Sequence, residues 1–239
     1  FYSRDINYKS WGYDNYYGLQ DIQKYNDERY VLDRELILNK TFYNKIFKQQ
    51  GNFVNYIITY SPHTPFTTEK EVGKILAEEK YGKGNVPKLS EEDCAKMAAS
   101  ETDNMVGLLI QALKDNGLYD NTVIVAYADH YLYTLDDKSI LDKYKETSNN
   151  LINHTPFFIW SSDLGQLTSI SKVNMQMDIL PTVLNLFGID YNSNNYIGHD
   201  ILSNDFKGYA FFSDYSWYDG KVYVENQQIT NGKKMSTNK

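Results

Sequence analysis

Apolar positions along the chain fall into short dense runs and longer spaced stripes. Thr122 to Tyr127 is a near-continuous run rich in Val and Ile, as expected for a strand covered on both faces. Phe53 to Tyr60 predicts a second strand, and Pro156 to Trp160 a shorter one. Between the first two, Ser90 followed by Glu91, Glu92 and Asp93 reads as a helix start, because the serine can cap and the acidic residues suit the positive end of the helix dipole. Its stripe of Cys94, Ala98, Met105, Leu108 and Ala112 has helical spacing, broken by the polar Glu101, and Gly117 is placed to end it. A further helix is predicted from about Asp178 to Phe187, with Pro181 in its first turn, Gly188 as terminator and its leucines toward the core. Near the C-terminus, Gly208 to Ser213 and Lys221 to Glu225 flank Asp219-Gly220, which predicts a closing hairpin. The polar stretches Thr67 to Lys88 and Asp136 to Asn150 read as surface excursions, and the tail after Gln228 as loose.

Strands alternating with amphipathic helices predict an α/β domain. Its central sheet is expected to be largely parallel and flanked by helices, with the antiparallel hairpin at the C-terminal end. No internal repeat or low-complexity linker interrupts the 239 residues, so a single domain is expected. An apolar fraction of 41% can fill its core. A net charge of −7 without a cluster of Lys and Arg argues against nucleic-acid binding, which needs a basic surface to track phosphates. The longest apolar runs fall well short of the roughly 20 residues of a membrane span. Opening at Phe1, without Met or a leader, the chain reads as an excised piece. The single Cys94 excludes an internal disulfide framework and a cysteine-built zinc site. The 22 tyrosines fit either carbohydrate and headgroup contacts or a Tyr- and Asn-rich genome.

Candidate chemistry gathers where predicted strands end, the place at which parallel sheets collect functional groups. Ala128-Asp129-His130 follows Thr122 to Tyr127, and both side chains can face one ion once the chain leaves strand geometry. An Asp oxygen with a His nitrogen suits manganese or zinc more readily than magnesium. Taken alone, the dipeptide favours the simpler alternative of a hydrogen-bonded Asp–His pair. Ser61-Pro62-His63-Thr64-Pro65-Phe66 follows Phe53 to Tyr60. Its prolines stiffen the turn, which either holds His63 toward an anionic group or carries it incidentally. If both predicted strands lie in one sheet, His63 and Asp129 emerge at the same edge. Arg4 offers a planar fork to phosphate oxygens. His154 and His199 read as structural.

In order, these segments resemble the extracellular catalytic domain of lipoteichoic acid synthases and related membrane phosphoglycerol transferases. That group lies in the sulfatase branch of the alkaline phosphatase superfamily. The resemblance covers most of the chain and rests on Phe1 to Tyr17, Tyr56 to Phe66, Gly117 through Tyr131, Asn153 to Trp160, Asp178 to Thr182 and Gly198 to Leu202. It implies Asp129 and His130 as metal ligands, with manganese first and magnesium or zinc as alternatives. It also implies Arg4 and His63 as phosphate contacts, and Tyr2 as an aromatic contact where close relatives carry Trp.

By the same resemblance, a metal-bound Thr attacks the phosphodiester of phosphatidylglycerol and passes a phosphoglycerol group to a cell-envelope polymer. This occurs outside a bacterial membrane that anchors the parent protein. The nucleophilic Thr and a metal-binding Glu are expected upstream of Phe1, so residues 1–239 would be the C-terminal portion of the catalytic domain and inactive alone. Ala128 stands where Gly usually precedes the Asp–His pair, and Leu132 where Gly often follows the Tyr. Competing readings are a sulfatase or phosphodiesterase hydrolase of the same superfamily, and a degenerate module that binds anionic headgroups.

Overall fold

A computed structural model describes residues 2–22, 31–143, 154–225 and 228–231. Phe1, residues 144–150, Asn153 and residues 232–239, which figure in the expectations above, lie outside the described residues. The chain divides into two compact units. The first comprises Phe1–Ala126, Leu132–Lys143 and Phe158–Asp163, and the second Tyr127–Tyr131, Tyr144–Phe157 and Leu164–Lys239.

Helices dominate the first unit: α1 (Arg4–Ser10), α2 (Leu19–Ile22), α3 (Glu35–Leu38), α4 (Lys40–Phe47), α5 (Glu71–Tyr81) and α6 (Glu91–Asp115). The predicted start of α6 holds in detail, since Ser90 Oγ accepts the Asp93 amide at 3.1 Å. Gly117 closes the helix at φ +66°, a left-handed turn that L side chains resist, with the Leu118 amide reaching back to the Leu113 carbonyl at 2.9 Å. Three apolar clusters form along α6. Met105, Ala112 and Leu113 pack with Ile37 and Phe47, Cys94 and Ala98 pack with Phe66, Leu135 and Ile140, and Met97 meets Leu32, Val72 and Leu76. One long helix therefore serves as the spine of the unit.

Two of the expected excursions carry structure. Within Thr67 to Lys88, α5 buries Val72, Leu76 and Ala77 against α6, their spacing giving a narrow apolar stripe that the surrounding charges conceal. Within Asp136 to Asn150, α7 (Ser139–Asp142) buries Ile140, the interior counterpart of Leu135. Glu92 ties this segment to α6. Its carboxylate takes hydrogen bonds from Lys143 at 2.6 Å and Lys96 at 2.9 Å, and the two cations hold its pKa down to about 2.

Strand β1 (Val123–Tyr127) and strand β2 (Phe157–Ser161) form a two-stranded sheet, and the Ala128 amide extends it to the Pro156 carbonyl at 3.2 Å. Phe53 to Tyr60 departs from expectation, because among the described residues it enters no ladder. Only Ile57 and Thr59 of this stretch are half-buried, and Val54 is 79% exposed. Alternation and β-branching favour an extended chain, but a strand exists only when a neighbour takes up its amides and carbonyls.

In the second unit, a 3-10 turn (Gln176–Asp178) leads into α8 (Ile179–Leu186), which ends at Gly188 as predicted. Two of its three leucines do not face the core as expected: Leu180 is 51% exposed and Leu186 44%, Leu184 is half-buried, and Pro181 and Thr182 are buried. The buried face is set by hydrogen bonding, since Thr182 Oγ donates to the Asp178 carbonyl at 2.6 Å and accepts the Ile201 amide at 3.1 Å. Four short antiparallel strands follow in spatial order: β3 (Ala210–Phe211), β4 (Trp217–Tyr218), β5 (Tyr223–Glu225) and β6 (Gln228–Asn231). The Asp219-Gly220 reversal forms as predicted, with Asp219 Oδ1 accepting the Lys221 and Val222 amides at 2.9 and 2.8 Å. The strand before it is β4, however, and the Gly208 to Ser213 segment supplies β3 on the far side of β4. Gln228 begins β6 rather than a loose tail.

Candidate functional site

Asp129 and His130 leave the end of β1, and both belong to the second unit. His130 Nδ1 lies 2.8 Å from the Tyr131 carbonyl oxygen, which can only accept, so the proton sits on Nδ1 and the neutral ring carries its lone pair on Nε2. That Nε2 lies 3.6 Å from Asp129 Oδ1. Two ligands each about 2.1 Å from an ion at a tetrahedral angle stand about 3.4 Å apart, so the pair fits a shared divalent cation. The two side chains are 78% and 41% exposed, which leaves room for an ion and further ligands. Among the described residues no group of three or more His, Cys, Asp or Glu side chains is placed to hold a metal. The described residues thus offer a two-ligand corner.

The surroundings of that corner fix its backbone. Gln176 Nε2 donates to the Ala128 carbonyl at 2.6 Å and to the Asp129 carbonyl at 2.7 Å. The turn that holds Gln176 is itself closed by Asp178, 1% exposed, whose two carboxylate oxygens accept the His199 amide at 2.8 Å and the Met175 amide at 2.9 Å. Gly198 fits because it has no side chain, since a Cβ there would lie 1.9 Å from the Met177 carbonyl oxygen. His199 contributes its backbone to this turn and packs its ring edge-on against Tyr209, which agrees with the structural role expected for it.

In the first unit, His63 sits on the turn after Tyr60. Its ring stacks on Tyr60 at 5.1 Å and 11°, and Nδ1 bonds to the Thr64 carbonyl at 2.7 Å, so its lone pair also falls on Nε2. The turn is anchored from behind by the buried Asp33. One carboxylate oxygen accepts the Tyr60 and Ser61 amides at 2.7 and 3.0 Å, the other accepts the Thr102 hydroxyl at 2.6 Å, and the Asp33 amide donates to Ser61 Oγ at 2.9 Å. Beside it, Glu101 accepts the Arg34 amide at 3.1 Å and stands 3.6 Å from Arg34 Nε, while Arg34 also pairs with Glu79. Burial pushes the Glu101 carboxyl above the usual carboxylate range and Asp33 adds to the rise, against the opposing pull of Arg34.

Arg4 opens α1 with its guanidinium 5.7 Å from the Tyr2 ring centroid, and among the described residues no carboxylate pairs with it. Tyr2 and Ser3 both take left-handed backbone conformations, and the Tyr2 ring is 70% exposed. Four residues along α1, Tyr8 lies 5.6 Å from Tyr56, which ties the helix bearing Arg4 to the segment leading to His63. The structure thus brings Asp129 to His130 and Arg4 to Tyr2. Of the residues that hold these segments, Asp33 and Gln176 carry no mark in the sequence, and Asp178 reads there only as a helix start and part of a family anchor. Only Glu101, a charge in an apolar stripe, left a visible signal.

A sulfatase family model matches residues 1–189 of the chain. The lipoteichoic acid synthase of Staphylococcus saprophyticus subsp. saprophyticus is 30% identical over 93% of the chain, and that of Staphylococcus aureus 30% identical over 96%. The chain spans 35% and 37% of those proteins, about a third of the length of the curated relatives it matches. The crystal structure of the lipoteichoic acid synthase LtaP from Listeria monocytogenes superposes with a TM-score of 0.73 at 24% identity, covering 96% of this chain and 59% of that one. The likeness shows the α/β, alkaline-phosphatase/sulfatase-like fold.

Proposed function

The chain belongs to the sulfatase family, and on that footing we propose that it is part of a phosphoglycerol transferase. In this reading the donor is a phospholipid headgroup such as phosphatidylglycerol and the acceptor a cell-envelope polymer. The reaction takes place at the extracellular face of a bacterial membrane in which the parent protein is anchored. No helix among the described residues is long and apolar enough to cross that membrane.

The observation that carries the reading is the Asp129–His130 corner, where a carboxylate oxygen and the imidazole Nε2, whose ring proton sits on Nδ1, stand 3.6 Å apart at a strand end. Asp129 and His130 hold a divalent ion, manganese first among the candidates and magnesium or zinc after it. When bound, such an ion lowers the pKa of an attacking hydroxyl and stabilises charge on phosphoryl oxygens. Arg4 clamps the phosphate with its fork, His63 presents Nε2 to the same group, and Tyr2 lies against the headgroup. In this reading the attacking hydroxyl is a threonine of the parent protein, and the chain alone turns over no substrate.

The test measures headgroup release from a phosphatidylglycerol analogue by the parent domain, by the parent carrying His130→Ala, and by the chain alone, each with and without manganese. Manganese-dependent release by the parent only, lost in the variant, is expected. Release by the chain at a rate near the parent's would place the nucleophile within residues 1–239, and full activity of His130→Ala would remove that residue from the site.

A further inference from the structure

We infer that Gln176 is a positioning residue that sets the direction in which Asp129 and His130 present their ligand atoms; this rests on the reading of that pair as metal ligands. Successive carbonyls of an extended strand point to opposite sides, so one side-chain amide reaches two of them only where the strand has ended. Gln176 does so at Ala128 and Asp129, with both donors of a single NH2 group, from a position 48 and 47 residues away. Those two carbonyls belong to the peptide planes on either side of the Asp129 α-carbon. Fixing both planes fixes φ and ψ of Asp129 and hence the direction of its Cβ.

The second plane also leads into His130, whose ring is held at its far side by the Tyr131 carbonyl. From the opposite direction, Ala128 is tied through its amide to Pro156. Gln176 starts a turn that Asp178 and Gly198 make rigid, so the clamp is anchored at its base. The Gln176 side chain is exposed and fills no part of the core, which leaves these two bonds as its work. A ligand's supporting hydrogen bonds commonly set metal affinity by about ten- to a hundredfold.

The experiment uses the 239-residue chain with Gln176→Ala and Gln176→Glu, their folding checked by circular dichroism. The glutamate variant keeps the shape but turns both donors into an anionic acceptor facing two carbonyls. Two readouts are taken: the ring-nitrogen NMR signature of His130 without metal, and the Mn2+ concentration that half-broadens its ring lines. In the wild type the ring should show protonated Nδ1. Both variants should lose that single signature and need about tenfold more Mn2+. The glutamate variant discriminates by sign, because its added negative charge alone would draw Mn2+ closer. An unchanged signature with equal or tighter Mn2+ binding in Gln176→Glu overturns the inference. If the wild type shows no broadening, the metal reading falls. Loss of the signature in Gln176→Ala would still support the positioning role, and its retention would end it.

Discussion

Asp33 and Asp178 are both buried carboxylates that accept backbone amides, yet they should respond differently to the same isosteric change. At Asp33 the two amides share one oxygen, and the other oxygen faces the Thr102 hydroxyl. In Asp33→Asn the carbonyl oxygen keeps both amides, and the new NH2 meets a hydroxyl that can rotate and accept. The loss is mainly charge assistance, about 1–2 kcal/mol, whereas Asp33→Ala strands buried donors and costs about 3–5 kcal/mol. At Asp178 each oxygen takes a separate amide. An Asn there must point its NH2 at one N–H, which cannot reverse its role. Asp178→Asn should therefore cost about 3–4 kcal/mol, nearly the about 3–5 kcal/mol of Asp178→Ala. Urea unfolding followed by circular dichroism gives the ratio of the Asn to the Ala cost at each position, which removes any difference between the two units. A ratio below one half is expected at 33 and one near unity at 178. Equal ratios, or the reverse order, would refute the assignment of donors and acceptors.

Two further outcomes follow from buried geometry. Because the folded-state pKa of Glu101 is raised, the folded protein holds that proton more tightly than the unfolded chain, so wild-type stability relative to Glu101→Gln should be highest at acid pH. It should fall as pH rises from the unfolded value of about 4.5 through the raised one; urea midpoints between about pH 4 and pH 7 that rise relative to the variant would reverse the sign of the burial effect. Gly198→Ala must push a Cβ away from the Met177 carbonyl, so overpacking of about 1–3 kcal/mol should lower the thermal midpoint by roughly 2–12 °C, and an unchanged midpoint would show that the close approach is relieved without cost.

What could be read from the sequence was local. The cap and glycine terminator of α6, the Asp219-Gly220 reversal and the Asp–His pair at the end of β1 each lie within a few residues of the groups they engage. What stayed hidden was distributed. Asp178 meets His199 across 21 positions and Asp33 meets Thr102 across 69, and no spacing rule foretells such pairs. Phe53 to Tyr60 fails in the opposite sense, since its own pattern is strand-like and the missing ingredient is a neighbour. Leu180 and Leu186 of α8 mislead for a related reason: a polar pair, Asp178 and Thr182, takes the buried face that hydrophobicity assigned to them.

The knot around Asp33 also bears on time. Its bonds join residue 33 to residues 60, 61 and 102, so the turn carrying His63 cannot settle until α6 has found its place against the segment before α3. Contacts at such sequence separation form late and break together. The Tyr60 and Ser61 amides should then exchange with deuterium only as slowly as the first unit opens as a whole. The histidine on that turn is thereby held in register with α6, and any motion that changes its surroundings must come from other segments.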